Sequence, residues 1–255
     1  MTELVSAQRM AAWGDVARRI AHEIKNPLTP IQLSAERLKR KFSPMVGEES
    51  ETLEQMTEVI VRQTNDLRRI VDEFSKFARM PEPERRNLDL QKLVSDAVAL
   101  QQAGQPEVKI QASLPDRPVL ADLDSTMIGQ ALTNLIKNAG EAIESRIEAE
   151  GADAVAGEIR VELETRGAQA IIQISDNGTG LPEDRAQLFE PYVTTRAKGT
   201  GLGLPIVKKI IEEHGGTLVL EDAPAFSEQD AHFGAMAVIR LPLLEGAQTD
   251  EVRDE

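Results

Sequence analysis

Ala21-His22-Glu23-Ile24-Lys25-Asn26-Pro27-Leu28 sets a histidine inside a long run whose apolar residues recur at helical spacing. Trp13, Val16, Ile20, Ile24, Ile31, Ala35, Leu38 and Phe42 follow one another mostly in steps of three or four, the stripe that a helix buries. His22 is off that stripe. It lies two residues from both Ile20 and Ile24, about 200° round the helix from each, so its imidazole faces outward. Asn26 is one turn further along the same face. A solvent-facing imidazole with Glu23 beside it reads as a nucleophile with a helper, since a carboxylate accepting one ring N–H makes the other nitrogen more nucleophilic. Taken alone, the run also fits an ordinary surface histidine. What lies downstream decides between the two.

Working outward, residues 1 to about 43 read as one helix, with Gly14, Pro27 and Pro30 as its only Gly or Pro, and an interior proline kinks a helix or merely shapes its packing. Ser43-Pro44 through Gly47 is a turn. A second helix from about Glu48 to Arg79 carries Leu53, Met56, Ile60, Leu67, Ile70, Phe74 and Phe77 on one face, a coiled-coil-like seam. Two antiparallel helices with one stripe each make a poor core. Pairing two such hairpins into a four-helix bundle buries both stripes, which predicts a homodimer. Met80-Pro-Glu-Pro83 opens a linker over 81–88.

Beyond it the pattern changes. Asp89 to Gln102 is an amphipathic helix, Glu107 to Leu114 alternates like a strand, and Val119 to Ala121 is a short strand. A helix from about Ser125 to Glu150 ends in an Ala/Gly/Asp-rich break at 151–157. Strands follow at Glu158 to Glu164 and Gln169 to Ser175, a helix at Pro205 to His214, and strands at Thr217 to Glu221 and Ala235 to Leu241. This order predicts an α/β sandwich with a mainly antiparallel or mixed sheet over 89–244. Ala223 to Phe233 reads as a surface loop, and 245–255 as an acidic, disordered tail.

The chain has 255 residues, no cysteine and three histidines, which excludes disulfides and thiolate metal sites and leaves no zinc-ligand spacing. No run approaches the ~20 apolar residues that span a bilayer, and the N-terminus lacks a signal-peptide pattern, so a soluble, cytoplasmic segment without membrane contact is expected. Net charge is −14, unevenly spread: residues 1–86 hold 15 Lys/Arg and 14 Asp/Glu, residues 87–255 hold 14 and 29. So acidic a second half excludes a nucleic-acid partner, because phosphate backbones need a basic face. An anionic nucleotide would have to be held there through a cation, local basic residues and backbone N–H groups.

Four short motifs carry the chemistry of that half. Asn134-Leu-Ile-Lys137-Asn138-Ala-Gly-Glu141 puts Asn134, Asn138 and Glu141 on one helix face; alone it is an exposed polar face. Asp176-Asn-Gly-Thr-Gly180 follows a strand as a tight turn. Phe189-Glu-Pro-Tyr192 precedes Val193-Thr-Thr-Arg196-Ala-Lys198. Gly199-Thr-Gly-Leu-Gly203-Leu204 runs into a helix, where glycines let N–H groups approach phosphate, though it is neither a P-loop nor a dinucleotide fingerprint.

In this order, with His22 upstream, the motifs resemble the catalytic core of bacterial two-component sensor histidine kinases over residues from roughly 9 to 244: an H box at His22, N box at Asn134 to Glu141, G1 box at Asp176 to Gly180, F box at Phe189 to Tyr192 and G2 box at Gly199 to Leu204. Lys25-Asn-Pro-Leu-Thr-Pro-Ile-Gln-Leu-Ser-Ala-Glu-Arg-Leu38 looks most like the nitrogen-regulation branch called NtrY. The resemblance implies a dimeric helical-hairpin domain over 1–80 and an ATP-binding domain of the gyrase, Hsp90 and histidine kinase type over 89–244. It implies His22 as phospho-acceptor, Glu23 as its base and Asn26 as the residue orienting water for regulator dephosphorylation.

It further implies ATP and Mg2+, with Asn138 on the metal, and Asn134 and Lys137 at the phosphates or metal shell. Asp176 would accept from the adenine amino group, where guanine offers a carbonyl, acceptor against acceptor. Gly178 and Gly180 would let the backbone pass close to the base. Residues 183–200 would form a mobile lid, Thr194, Thr195, Arg196 and Lys198 would reach the phosphates, and Thr200, Gly201, Leu202 and Gly203 would present the lid's end. The expected partner is a response regulator's receiver domain. A non-catalytic dimeric scaffold binding ATP as a signal is the rival; a gyrase-type ATPase is the third reading, disfavoured because Asn134 stands where a water-activating glutamate is expected. His214, read as a helix-end residue favouring partial positive charge, and His232, in the loop, are given no chemistry. Trp13 and Tyr192 are read as packing residues.

Overall fold

The computed structural model describes residues 2–78, 80, 82–151, 154–190, 201–226 and 234–244, with the side chains of the first two helices described over 20–42 and 50–75. The chain divides into two compact units, Met1–Pro81 and Glu82–Glu255.

In the first unit, α1 (Thr2–Phe42) and α2 (Ser50–Ala78) are joined by two short 3-10 turns, Ser43–Met45 and Gly47–Glu49. They run antiparallel: Lys25 pairs with Asp72, while Lys39 reaches Glu58 at 2.7 Å and Glu54 at 3.6 Å. Pro27 and Pro30 both lie inside α1, which continues through them, so neither breaks the helix beside His22.

The seam between the helices shares Ala35 with the stripe read in the sequence and otherwise differs from it. Ala21, Leu28 and Ala35 on one helix and Thr57, Thr64 and Val71 on the other form a seven-residue repeat of mostly small side chains, and these are the buried residues among those described in the two helices. The threonine hydroxyls are satisfied inside their own helix: Thr57 donates to the Leu53 and Glu54 carbonyls, both at 2.9 Å, and Thr64 to Ile60 and Val61 at 3.0 and 2.8 Å. Ile20, Ile24, Ile31, Leu38 and Phe42 on α1, with Met56, Ile60, Leu67 and Ile70 on α2, remain exposed, from 36% at Ile70 to 63% at Met56. Small residues let two helices approach closely, so the large ones are left for something else to cover.

The second unit is the expected sandwich. Its five-stranded sheet has the order β2-β4-β5-β7-β6, made of β2 (Lys109–Ser113), β4 (Glu158–Arg166), β5 (Gln169–Asp176), β6 (Thr217–Asp222) and β7 (Ala235–Pro242). β2 runs parallel to β4 and the other pairs are antiparallel, a mixed sheet. The helices α3 (Leu90–Gly104), α4 (Ser125–Glu150) and α5 (Gly203–Glu213) pack side by side and cover it. Ile128, Leu132, Ile136 and Ile143 of α4 and Ile159, Val161, Ile172 and Ile239 of the sheet are at most 1% exposed.

Residues 86–88, read as linker, instead begin β1 (Arg86–Asp89), which pairs antiparallel with β3 (Leu120–Leu123) in a separate two-stranded sheet. A four-residue strand with Leu88 as its one apolar side chain has no alternation to detect. Asp89 then caps α3 through the Gln91 N–H at 3.1 Å, and also accepts from the Val119 N–H at 3.0 Å.

α4 carries the N-box residues and is fixed at both ends. Asp124 caps it, accepting from the Thr126 and Met127 N–H groups at 2.9 and 3.1 Å. Burial acts to raise the Asp124 carboxyl, but the N–H groups of Met127, Glu84 and Thr126 outweigh it and hold the group below the usual aspartate range. At the other end the buried Arg146 donates to Glu150 at 2.8 Å and to the Val155 carbonyl at 2.7 Å, fastening the helix to the segment leading into β4.

Candidate functional site

His22, Glu23 and Asn26 are all exposed on α1, with Ala21 buried directly beside them and Leu28 just beyond. The H-box turn is therefore anchored by its small and apolar members while its polar ones face solvent. Lys25 leaves that face to pair with Asp72 of α2. One turn on, the Arg68 guanidinium donates to Gln32 at 3.1 Å and Thr29 at 3.5 Å, further tying this stretch of α1 to α2.

In the second unit the strand end, the N-box helix and the start of α5 converge. Asp176 closes β5 and is 5% exposed. Its Oδ1 accepts from the Gly178 N–H at 2.8 Å and the Ala235 N–H at 3.3 Å, which fix the plane of the carboxylate. Asn177 secures the turn: its Oδ1 accepts from the Glu158 N–H and its Nδ2 donates to the Ala156 carbonyl, both at 2.9 Å. Gly178 is obligatory by space, since a Cβ there would lie 2.7 Å from the Ala142 carbonyl carbon on α4 and 2.8 Å from Asp176 Oδ1. Gly180 follows at φ +76°, open to glycine and costly to other residues.

On α4, Asn134 and Asn138 are half-buried, and the exposed Lys137 stands 3.7 Å from Glu141. α5 opens beside them: a Cβ on Gly203 would sit 3.9 Å from Asn138 Nδ2, so the N box and G2 box are neighbours. Gly201 turns the chain at φ +68°. Leu202 is fully buried, so its offering to a ligand is backbone, and its side chain is a plug that holds the first turn of α5 down. The N-terminus of α5, an eleven-residue helix, presents N–H groups to this space, the arrangement that receives phosphate oxygens.

Phe189, in the short 3-10 turn Ala186–Phe189, sits under the Lys208 ammonium of α5, 5.0 Å from the ring centre. Arg185 grips Asp222 with distances of 2.6 and 2.7 Å, so the chain leaving the G1 box is tied to β6. Thr194, Thr195, Arg196, Lys198 and Thr200, with Tyr192 and His232, lie outside the described residues.

Two residues escaped the sequence reading. A Cβ on Gly234 would come within 1.7 Å of the Asp176 carbonyl oxygen, so only glycine lets β7 start against the G1 turn and bring the Ala235 N–H onto Asp176. Its sole signal was a glycine just before a strand. In the sequence His214 reads only as a helix-end residue; it is 1% exposed, with Nε2 accepting from the Asp124 N–H at 3.0 Å. A ring nitrogen that accepts carries no proton, so the partial positive charge read from the helix end does not hold.

Magnesium is compatible with the residues present. It prefers hard oxygen donors and binds through few protein ligands together with substrate phosphates. Asn138 carries an amide oxygen of that kind on a side chain whose Nδ2 lies near Gly203 at the start of α5, and among the described residues no group of three or more His, Cys, Asp or Glu forms a cation cage.

Comparison with known proteins accords with this division. Residues 12–83 match the His Kinase A (phospho-acceptor) domain, and residues 123–245 match the histidine kinase-, DNA gyrase B- and HSP90-like ATPase. A phospho-acceptor hairpin followed by that ATPase fold defines a class, and the chain belongs to it: the sensor histidine kinases of two-component systems. Within the class it is NtrY-like, 55% identical over 227 residues to the Nitrogen regulation protein NtrY of Azorhizobium caulinodans, an alignment covering 88% of this chain and 29% of that protein.

Two solved structures share the fold. Full-length ShkA in complex with AMPPNP superposes with a TM-score of 0.64 at 21% identity, over 90% of this chain and 46% of that one. The histidine kinase ThkA in complex with the response regulator protein TrrA gives 0.61 at 24% identity, over 95% of this chain and 65% of that one. Among the described residues no helix is long and apolar enough to cross a membrane.

Proposed function

We propose that the chain is an ATP-dependent protein-histidine kinase that phosphorylates His22 and passes the phosphoryl group to an aspartate of a response regulator's receiver domain. The observation that carries this reading is the Asp176 turn. A buried carboxylate, oriented by two backbone N–H groups and set among glycines beside the asparagine face of α4, matches an adenine amino group, in a chain that also exposes a histidine on a helix.

Asp176 accepts from the adenine amino group, with Gly178 and Gly180 letting the base lie close. The N-terminus of α5, with the backbone of Thr200, Gly201, Leu202 and Gly203, meets the phosphates, joined by Thr194, Thr195, Arg196 and Lys198. Asn134 and Lys137 complete the phosphate shell, and Asn138 would hold Mg2+. Bound magnesium would draw charge off the phosphates. Glu23 accepts the proton from one ring nitrogen of His22 while the other attacks the γ-phosphorus. A P–N bond forms, the bond to the β-phosphate oxygen breaks, and ADP leaves.

The product, a phosphohistidine, has a labile P–N bond suited to onward transfer. Asn26 then orients water against the regulator's acyl phosphate. We assign the exposed stripes of α1 and α2 to a second copy of the chain, forming a four-helix bundle. The cytoplasm supplies both ATP and regulator, and the name of the Azorhizobium relative points to a role in nitrogen regulation.

Incubation with magnesium and γ-labelled ATP tests the reading. Acid-labile label should appear in the wild-type chain and be absent from His22→Gln. Acid-stable label, or label retained in that variant, overturns the assignment. Asn26→Ala should abolish dephosphorylation of the regulator while sparing autophosphorylation; equal loss of both removes Asn26 from that role.

A further inference from the structure

The phosphoryl-transfer reading leaves His214 without a task, yet it is among the most buried polar residues of the chain. It ends α5, where Gly215 turns the backbone away at φ +73°. Its Nε2 accepts from the Asp124 N–H at 3.0 Å, and its Nδ1 stands 2.7 Å from the Ile210 carbonyl, to which it donates. Both nitrogens are thereby used, and the ring is the neutral tautomer with the proton on Nδ1.

Three segments meet around Asp124 and the end of α5. Asp124, which gives it the N–H, is the cap of α4. The Asp124 carboxylate also accepts from the Glu84 N–H at 2.9 Å. The Arg85 guanidinium donates to the carbonyl of Glu213, the neighbour of His214. Residues 84 and 85 lie among the first four residues of the second unit, shortly after the hairpin in sequence. One joint thus gathers the first residues of the unit, the start of α4 and the end of α5.

From this joint the two helices run together toward the nucleotide site. Asn138 lies 14 residues along α4 and Gly203 lies 11 residues back along α5, about 21 and 16 Å by helix rise. There they meet again, with Gly203 packed beside Asn138. Two rods pinned at one end have their spacing at the other end set by the pin. The far end here is where the N box faces the phosphate-binding start of α5.

We propose that His214 is a positioning residue for phosphoryl transfer: it pins α4 to α5 at the end remote from the nucleotide and, through residues 84 and 85, lets the chain arriving from the hairpin set the spacing of the site. The proposal rests on the kinase reading for its consequence in catalysis, while its effect on nucleotide binding is independent of it. A leucine would fill the space of the ring but leave the Asp124 N–H without its acceptor. A glutamine retains an oxygen to accept and a nitrogen to donate.

The test uses the full chain as wild type, His214→Leu, His214→Gln and Arg85→Ala. It measures Kd for a fluorescent ATP analogue, KM and kcat for autophosphorylation, and near-UV circular dichroism to report the folded fraction. His214→Leu should raise Kd and KM about tenfold with the dichroism retained, His214→Gln should return both to within about threefold of wild type, and Arg85→Ala should raise KM about threefold.

A merely structural histidine behaves differently: kcat per total protein falls with the folded fraction while KM and Kd stay constant. That outcome overturns the proposal, as does a glutamine variant no better than leucine. Arg85 is exposed and outside the core, so its variant reports even if leucine prevents folding, and a KM equal to wild type there overturns the coupling. If the wild-type chain binds nucleotide and forms no phosphohistidine, the kinase reading fails, and the Kd series still decides the role of His214.

Discussion

Among its described residues, the hairpin keeps from water Ala21, Leu28 and Ala35 of α1 and Thr57, Thr64 and Val71 of α2, whereas the α/β unit encloses whole leucines and isoleucines on both of its layers. Among the described residues, the hairpin leaves most of its large apolar side chains exposed, while the sandwich exposes only a few, such as Leu100 and Val219. Full burial of one such side chain is worth roughly 1.5–3 kcal/mol, so nine of them left 36–63% exposed amount to a core that is still open. The sandwich closes its core within one chain, whereas the described part of the hairpin keeps an apolar stripe in water.

The largest effect should come from attacking the open half. Ile60→Glu combined with Leu67→Glu should leave the chain monomeric at micromolar concentration by light scattering, and the hairpin's melting should lose its dependence on protein concentration. A wild-type chain already monomeric would break the comparison. Next, Ile143→Ala should cost the sandwich about 2–5 kcal/mol, read as a shift in denaturant midpoint that is independent of concentration.

A smaller effect belongs to the cap. Asp124→Ala should cost about 1 kcal/mol. Because the folded carboxyl is held below its ordinary 3.8, its charge contributes stability above that pH and loses it as pH falls through the lower folded value. The stability difference between wild type and Asp124→Asn should therefore be present at neutral pH and vanish in acid. Smallest of all, Lys39 with Glu58 is a solvent-exposed pair in which hydrogen bonding raises the amine and lowers the carboxyl. Lys39→Met should leave the melting temperature unchanged within error.

The sequence was most readable where signals were local. α4 runs from Ser125 to Glu150 as expected, because Asp124 announces its start and Gly151 its stop. The paired strands β4 and β5 follow from alternation and a short turn at Gly167. Reading failed where pairing is distant or the residues are small. The stripe read on α1 includes Ala35, which is buried, but Ala21 and Leu28 beside it are buried too, while its large members stay exposed. β1 finds its partner more than thirty residues on, and His214 finds Asp124 ninety residues back. The same distinction divides the site: asparagines and glycines within one turn of a motif were legible, while Gly234, across the sheet from the G1 turn, was not.

The pairing of β1 with β3 also bears on how the nucleotide-binding half can be cut free. A fragment begun at Leu90, where the helix starts, would strip β3 of the strand it pairs with through all four residues and take the Glu84 N–H away from Asp124. A fragment begun at Glu82 keeps both. Eight residues that look like connecting thread are the difference between excising a domain and tearing one.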